Sequence, residues 1–205
     1  MSSDAVPQTP VVIFDEFLVA QELRELLEFT LAREPYLAHT EVIGGNGQGR
    51  QDVDYRRSRV LFDLQGFDRV FSERLMIFMP QILSGLGIGP FEVSQIEIQL
   101  TSTNNSEFFR MHTDNDAPQV ARRLITFVYF FHREPRAFAG GELRIHDSNR
   151  SGDRTQPSGP YRIVYPQQNQ IVFFYSGTLH EILPVGCPTG QFADSRFTVN
   201  GWFHQ

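Results

Sequence analysis

Three side chains of this sequence have the types and spacing of a metal site. The segment FFRMHTDND places His112 and Asp114 two residues apart, so in extended backbone both side chains leave the chain on the same side. A His-x-Asp triplet alone arises often by chance. The later segment SGTLHEI adds His180 on a strand-like run after a glycine turn. Two histidines and one carboxylate form the three-ligand face that leaves positions open on a non-haem iron(II).

A fourth residue, Arg196, has the chemistry of a carboxylate anchor. A guanidinium binds a carboxylate through two parallel hydrogen bonds of fixed geometry. Arg196 begins the segment RFTVNGWFH, in which two-residue alternation places Thr198, Asn200 and Trp202 on its own face. The opposite face is apolar. The segment is therefore predicted to be a strand with one polar, site-like face and one face suited to a core.

Other polar residues lack partners at a useful spacing. His132, His146 and His204 have no second ligand nearby in the sequence, and they are expected to be structural or exposed. Glu142 is expected at a strand start without a catalytic role. The glycine-rich stretch 44–49 resembles a phosphate-binding loop, but no Lys-Ser/Thr follows it, so a nucleotide site is not expected.

Two amphipathic helices are predicted before the metal-binding segments. Apolar residues recur at three-and-four spacing over 19–32 and again over about 67–83, which is typical of helices with one packed face. Pro80 is expected to bend or divide the second helix.

From Ser94 the period changes to two, which indicates strands. Seven or so strands follow the two helices, and this order favours an α+β, mainly β fold. The sheets would form a sandwich or jelly roll, buttressed by the N-terminal helices on one outer face. The predicted strands begin at Ser94 and continue at 124–131, 141–146, 161–164, 171–175, 178–183 and 196–204.

Two polar segments, 43–54 and 147–160, are too rich in glycine and serine for a core. They are candidates for mobile lids over a site, and ordinary surface loops are the alternative. Arg56, Arg57 and Ser58 follow the first segment. They are candidates for the edge of the active-site mouth, with a solvated basic patch as the alternative.

Composition limits the remaining choices. The 205 residues, 40% of them hydrophobic, suffice for one domain over 1–205, with 1–10 expected to be flexible. The net charge of −6 without long charge runs gives no indication of nucleic-acid binding. Cys187 is the single cysteine, so no intrachain disulfide can form. Without a signal-like start or a stretch long enough to cross a bilayer, a soluble cytoplasmic protein with no membrane partner is expected.

The motifs HTD, GGELRI, FFYSGTLHEI and SRFTVNGWFH, in this order, resemble the prolyl 4-hydroxylase-like branch of the iron(II)- and 2-oxoglutarate-dependent dioxygenases. The resemblance extends from about Val11 to the carboxyl terminus. It implies a double-stranded β-helix, iron(II), 2-oxoglutarate as co-substrate, dioxygen, and release of succinate and carbon dioxide. Ascorbate is the candidate reductant.

Carried onto this sequence, the resemblance implies that His112, Asp114 and His180 are the catalytic iron ligands. It also implies that Arg196 anchors 2-oxoglutarate. Thr198 and Asn200 are further candidates for contacts with the oxoacid.

Two positions depart from the family pattern. Relatives carry a tyrosine about nine residues before the first histidine, where this chain has Thr103, and an oxoacid-contacting tyrosine where it has Phe130. The neighbouring Tyr129 is expected on the other face. These departures leave the detailed oxoglutarate contacts open.

The leading hypothesis is hydroxylation of a C–H bond, above all in a prolyl residue of a peptide or protein. Oxygenation of a small metabolite or free amino acid is the alternative within the enzymes. A non-enzymatic, metal-dependent jelly-roll binding module is the alternative outside them. Arg196 argues against such a module, because binding alone needs no oxoacid clamp. Asp114 argues against halogenation, because a halide would need its coordination position.

Overall fold

The computed structural model describes residues 8–43, 49–151 and 154–205, which form two stacked antiparallel sheets and two helices. The helices are α1 (Ala20–Ala32) and α2 (Phe67–Leu86), and single 3-10 turns lie at Glu34–Tyr36, Pro118–Val120 and Phe192–Asp194. The strands, in chain order, are β1 Val12–Phe14, β2 Ala38–His39, β3 Val42–Ile43, β4 Gly49–Arg50, β5 Arg56–Arg57, β6 Arg59–Leu61, β7 Gln95–Thr103, β8 Phe108–His112, β9 Arg123–Phe131, β10 Ala139–Gly140, β11 Leu143–Ser151, β12 Arg154–Val164, β13 Gln170–Tyr175, β14 His180–Ile182, β15 Val185–Gly186 and β16 Arg196–His204.

The larger sheet has the order β1-β13-β9-β16-β7-β6-β2, and the smaller sheet has the order β12-β11-β14-β8-β5. Two further sheets have two short strands each, β3 with β4 and β10 with β15. Every strand pairing among the described residues is antiparallel. The predicted mainly β jelly-roll architecture is confirmed.

Alternation along β9 explains how the chain accommodates its many aromatic residues. Phe127, Tyr129 and Phe131 point into a cluster shared with the two helices, whereas Val128 and Phe130 point into a second cluster between the two sheets. Successive side chains of a strand leave on opposite faces, so one strand supplies both layers. The larger sheet is therefore buried on both faces.

Helices α1 and α2 cover the outer face of the larger sheet, as the amphipathic pattern predicts. Leu26 and Phe71 are fully buried there, and the Phe71 ring lies 5.2 Å from that of Tyr129. Helix α2 runs unbroken through Pro80, so the chain is not divided there; its apolar face stays packed on the sheet on either side of the proline. Neither α1 nor α2 has the length and apolarity needed to cross a membrane.

The prediction of a polar loop over 147–160 is wrong. Strands β11 and β12 continue through most of it as one long antiparallel hairpin, with an irregularity between His146 and Ser148. The ladder uses backbone N–H and C=O groups, so it forms without an apolar alternation in the side chains. Thr155 on β12 lies within the same register, paired with Arg150. The described parts of the segment, 147–151 and 154–160, are a structured extension of the smaller sheet, and 152–153 lie outside the described residues.

The other predicted loop, 43–54, is partly ordered. It contains β4, which pairs with β3, while 44–48 lie outside the described residues. Of the ten N-terminal residues expected to be flexible, 1–7 also lie outside them. The backbone N–H groups of Gln8 and Thr9 each donate to the carboxylate of Asp147 at 2.8 Å.

Candidate metal centre

Two neighbouring strands of the smaller sheet bring the three predicted metal ligands together. His112 ends β8, His180 begins β14, and the two residues pair directly across the ladder. Asp114 lies just beyond β8, with its Oδ1 3.6 Å from Nε2 of His112 and its Oδ2 3.5 Å from Nε2 of His180. The ligand atoms of the three residues all lie within 4.8 Å of one another. This spacing suits a single ion held between them.

Backbone carbonyls orient both imidazoles. Nδ1 of His112 lies 2.7 Å from the carbonyl oxygen of Arg110, and Nδ1 of His180 lies 2.9 Å from that of Thr178. A carbonyl only accepts hydrogen bonds, so each Nδ1 carries the proton and each Nε2 has a free lone pair. The two lone pairs are on the nitrogens that face Asp114. The donor set is therefore that of a site for a divalent metal with mixed nitrogen and oxygen ligands.

Asp114 is buried and held in place by its neighbours. The Thr126 hydroxyl donates to Oδ2 at 2.8 Å, and the Asp114 N–H donates to the Ser176 carbonyl at 2.9 Å. Burial by itself would raise the pKa of Asp114, but the nearby His180 and His112 outweigh it and the pKa lies below its ordinary value. Burial, reinforced by His112, lowers the pKa of His180 to about 4. Asp114 is thus an anion and His180 a neutral imidazole at neutral pH, the protonation states that bind metal.

Arg196 begins β16 and is almost completely buried, with 2% of its surface exposed. Its guanidinium lies 5.0 Å from the Phe130 ring centroid, and its Nε and Nη2 have no hydrogen-bond partner among the described residues. Burial lowers its pKa to about 9, against the opposing influence of Glu142, so it remains charged at neutral pH. Burying an unpaired charge is costly. The side chain therefore fits an anionic ligand such as the distal carboxylate of 2-oxoglutarate.

Gly141 gives the Arg196 side chain its space, a contribution that sequence reasoning missed. A Cβ added at Gly141 would lie 2.6 Å from Cδ of Arg196, and the backbone there has φ of +71°. Both features favour glycine. The Gly-Gly pair in GGEL was the available signal, since adjacent glycines mark places where backbone approaches another group closely.

The rest of β16 follows the predicted alternation. Thr198, Asn200 and Trp202 line the same cavity as Arg196, which has a volume of about 770 Å³, whereas the intervening phenylalanines and valine join the helix-side core. The amide of Asn200 donates to the Thr101 hydroxyl at 2.9 Å. The Trp202 indole N–H has no hydrogen-bond partner among the described residues, although it is near enough to contribute to the lowered pKa of Asp114.

The two departures from the family pattern lie at the cavity and beside Arg196. Thr103 is directly opposite Arg196 on β7 and lines the cavity, and Phe130 supports the guanidinium. Tyr129 faces the helices, where its hydroxyl donates to Asn169 Oδ1 at 2.9 Å. The expectation that Tyr129 points away from the site is confirmed.

Two charged residues of the cavity wall were also missed. Arg123 binds Glu97 through two hydrogen bonds of 3.0 and 2.6 Å and lies 3.6 Å over the Trp202 ring. The signal was the polar face of β7, which carries Glu97 and Gln99 next to the polar face of β16. A polar face on a central strand must line a cavity or pair internally.

The three histidines that were expected to be structural or exposed do not belong to the metal trio. Nε2 of His146 is 3.2 Å from a carboxylate oxygen of Glu181, and Nε2 of His204 is 3.2 Å from one of Glu97. Nδ1 of His132 lies 3.0 Å from the backbone carbonyl oxygen of Arg133. These histidines have structural partners, as expected.

Arg56, Arg57 and Ser58 line the cavity, in agreement with the mouth hypothesis. The Phe109 ring lies between the Arg56 guanidinium and His112 of the metal trio. Its guanidinium lies 4.4 Å over the Phe109 ring, and that ring stacks on His112 at 3.5 Å and 19°. Burial lowers the pKa of Arg56 to about 10, with Asp114 opposing and Arg123 reinforcing the shift.

Comparison with known proteins agrees with this geometry. Residues 98–204, more than half of the chain, match the family model of the 2OG-Fe(II) oxygenase superfamily. The chain is 40% identical over 153 residues to an uncharacterized PKHD-type hydroxylase from Synechocystis sp.; the match covers 74% of this chain and 50% of the relative. The chain therefore spans about half the length of that curated relative.

Solved structures share the fold. A prolyl-4-hydroxylase from Pseudomonas putida superposes with a TM-score of 0.66 at 22% identity, covering 97% of this chain and 94% of that one. A prolyl hydroxylase from Trichoplax adhaerens, solved with a peptide fragment of a hypoxia inducible factor oxygen degradation domain, superposes with a TM-score of 0.70 at 15% identity. It covers 96% of this chain and 84% of that one.

Proposed function

Because the chain belongs to the 2OG-Fe(II) oxygenase superfamily, we propose that it is an iron(II)- and 2-oxoglutarate-dependent dioxygenase that hydroxylates a prolyl C–H bond in a peptide or protein. Succinate and carbon dioxide are the expected co-products. One observation carries the proposal. The metal trio and a buried arginine that has no partner for two of its nitrogens among the described residues line the same cavity.

In this proposal each residue has a defined task. His112, Asp114 and His180 hold iron(II) through the two Nε2 atoms and the carboxylate, and leave the remaining coordination positions open. Arg196 receives the distal carboxylate of 2-oxoglutarate, which fixes the orientation of the oxoacid. Thr198 and Asn200 are candidates for further contacts. When bound, iron(II) and 2-oxoglutarate together supply the activation of dioxygen, with ascorbate as the candidate reductant.

The protein environment also supports oxidation chemistry. Phe130 and Phe174 belong to the apolar cluster between the sheets, and the Phe174 ring lies 4.7 Å from that of His180. Such a wall excludes water from one side of the centre and strengthens electrostatic interactions within it. The cavity of about 770 Å³ is large enough for a substrate residue beside the oxoacid.

The prolyl assignment rests on likeness. The curated relative is a PKHD-type hydroxylase, and both structural neighbours are prolyl hydroxylases, one of them with a peptide bound. Oxygenation of a small metabolite or free amino acid remains the alternative. The two structural neighbours share only 22% and 15% of their residues with this chain, and the match to the curated relative covers half of that protein. Turnover of 2-oxoglutarate against a panel of proline-containing peptides and free amino acids separates the two.

The first experiment tests the cofactor site. Anaerobic protein with iron(II) and 2-oxoglutarate is expected to show the weak visible charge-transfer band of a chelated keto acid. His112→Ala, Asp114→Ala and His180→Ala should each remove the band, because two side chains compete poorly with water for the metal. A band of undiminished intensity in all three variants would overturn the assignment. Metal binding without any oxoglutarate turnover would instead favour the binding module.

A further inference from the structure

The cavity holds a second positive charge that the proposed cofactors leave uncompensated, on Arg56. This residue lies on β5, paired with Phe109 of β8, and its side chain is partly buried against the cavity. Its Nε donates to the Ser58 hydroxyl at 3.1 Å. Among the described residues, no carboxylate lies within ion-pair distance of Arg56, in contrast to Arg57 and Arg123 of the same wall.

Two arginines of the cavity wall have partners within the protein. Arg123 donates two hydrogen bonds to Glu97. Nη2 of Arg57 lies 3.7 Å from Oδ1 of Asp54, and its Nε donates to the Val53 carbonyl. Arg196 has the oxoacid in the proposed function. Within the centre itself, iron(II) and Arg196 would be balanced by Asp114 and the two carboxylates of 2-oxoglutarate. Among the described arginines of the cavity, Arg56 is then the one without a compensating negative charge.

The environment of Arg56 favours an anion. Arg123 is close enough to lower the pKa of Arg56. The Arg56 guanidinium lies over the Phe109 ring, and its Nε donates to Ser58, which leaves the two outer nitrogens for a ligand. Phe109 in turn stacks on His112, so a group bound by Arg56 would lie close to the metal trio. A partly desolvated, unpaired guanidinium gains most from a carboxylate, which accepts two parallel hydrogen bonds.

We propose that Arg56 is a specificity-determining residue that binds a carboxylate of the substrate, next to the position that is oxidised. The proposal deepens the proposed function and rests on it. The carboxylate has two sources with the same chemistry, namely an acidic side chain flanking the target residue of a polypeptide, and the α-carboxylate of a free amino acid.

The first test uses a minimal probe and needs no knowledge of the substrate. Propionate and propionamide, which match in shape, are titrated into anaerobic protein loaded with iron(II) and 2-oxoglutarate. Binding is followed by the perturbation of the charge-transfer band and by the shift in Tm. Wild-type protein should bind propionate saturably and in preference to propionamide, and Arg56→Gln should weaken propionate about tenfold or more. Arg56→Lys should lie between them, because it keeps the charge without the fork.

Arg57→Gln is the matched control. It removes a charge from the adjacent position of the same strand, but Arg57 is exposed and already partnered. Its propionate affinity should equal that of the wild type. Equal propionate affinity in wild type and Arg56→Gln, or absence of saturable binding to the wild type, would overturn the proposal. An equal loss of propionate affinity in Arg57→Gln would also overturn the proposal, because it would indicate a general electrostatic attraction and not a specific contact with Arg56.

A second measurement identifies the source of the carboxylate. Proline-centred peptides with glutamate or glutamine beside the proline, and free L-proline with L-prolinamide, are compared as pairs by kcat/KM. For one of the two pairs, the ratio of kcat/KM for the carboxylate compound to kcat/KM for the amide should be about ten or more in the wild type. In Arg56→Gln this ratio should fall towards one. A preference that persists in Arg56→Gln would overturn the proposal.

Failure of the proposed function would look different. The charge-transfer band would then be missing from the wild type and all Arg56 and Arg57 variants alike. The Tm shift with propionate would still report on Arg56 in the metal-loaded protein. Normal iron and 2-oxoglutarate binding by Arg56→Gln shows that this variant is folded.

Discussion

At the scale of single residues, the buried guanidinium of Arg196 links folding to ligand binding. The side chain is desolvated and two of its nitrogens lack partners among the described residues, so it contributes little to the stability of the ligand-free protein. Its position is maintained by the packing of Phe130 beneath it and Gly141 beside it. A residue held in this way is pre-organised for its ligand.

Arg196→Ala is predicted to weaken 2-oxoglutarate far more than iron(II). Truncating one partner of a buried charge-assisted pair costs on the order of 2–5 kcal/mol. Arg196→Lys should restore only part of the affinity, since it lacks the planar fork. Titration of the charge-transfer band with 2-oxoglutarate measures this. Unchanged apparent affinity in the alanine variant would require another anchor. Arg144 on β11 is a poor substitute, because it is already paired with Glu181 at 2.9 Å.

Gly141→Ala is predicted to weaken 2-oxoglutarate through displacement of Arg196. The added methyl would overlap Cδ of Arg196 at 2.6 Å, whereas the same change at Gly190, which has φ of +62°, meets nothing within 4 Å. Both variants should lose about 1–2 kcal/mol of stability from the left-handed backbone. Only Gly141→Ala should also raise the apparent Kd for 2-oxoglutarate, by roughly tenfold. An equal affinity loss in both would assign the effect to backbone strain alone.

At the scale of elements, the β11–β12 hairpin extends one edge of the smaller sheet and brings Thr155 to the cavity wall. Its base is also tied to the N-terminal segment through Asp147. A structured extension of this kind can enclose a substrate without the disorder-to-order change that a mobile loop would undergo. We therefore keep the sequence-based hypothesis that it contributes to substrate enclosure, in the form of a hairpin and not a loop.

Replacing 147–160 by a two-residue Asn-Gly turn between His146 and Tyr161, which face each other in the ladder, tests this hypothesis. Iron and 2-oxoglutarate binding should be unchanged, because none of the metal trio lies in the deleted segment. Substrate-coupled turnover should fall, and succinate formed without hydroxylated product should rise, as water enters the site. Full coupled activity of the shortened variant on a small free amino acid would favour the metabolite alternative.

At the scale of the whole molecule, the two faces of the larger sheet have separate tasks. One face packs on α1 and α2 and supplies stability, while the other packs towards the smaller sheet and carries the site. Stability variants on the helix side should therefore leave the site chemistry intact under folded conditions.

Phe71→Ala is predicted to lower the free energy of unfolding by about 3–5 kcal/mol, because it empties a fully buried position between α2 and the sheet. Ile77→Ala, on the same helix but 73% exposed, should change it by less than about 0.5 kcal/mol. Urea denaturation measures both. Folded Phe71→Ala at low temperature should still bind 2-oxoglutarate with normal affinity. Similar effects of the two substitutions would contradict the helix-side core described above.

Features that depend on residue type and local period can be read from the order of the amino acids. Alternation in β16 placed Arg196, Thr198 and Asn200 on one face, because successive side chains of a strand leave on opposite sides whatever lies around them. The helices and the jelly-roll class followed from the same kind of local pattern. The family motifs then selected His112, Asp114 and His180 from among six histidines and many carboxylates.

Contacts between distant segments, in contrast, become visible only in the folded chain. The pairing of β11 with β12 depends on backbone groups, which are alike in every residue, so the polar stretch 147–160 gave no local sign of it. The approach of Gly141 to Arg196 and of Arg56 to Phe109 at the cavity depends on contacts between residues whose numbers differ by 55 and 53. Such contacts leave no periodic pattern in either segment, because they arise from the packing of whole strands and not from the order of neighbouring residues.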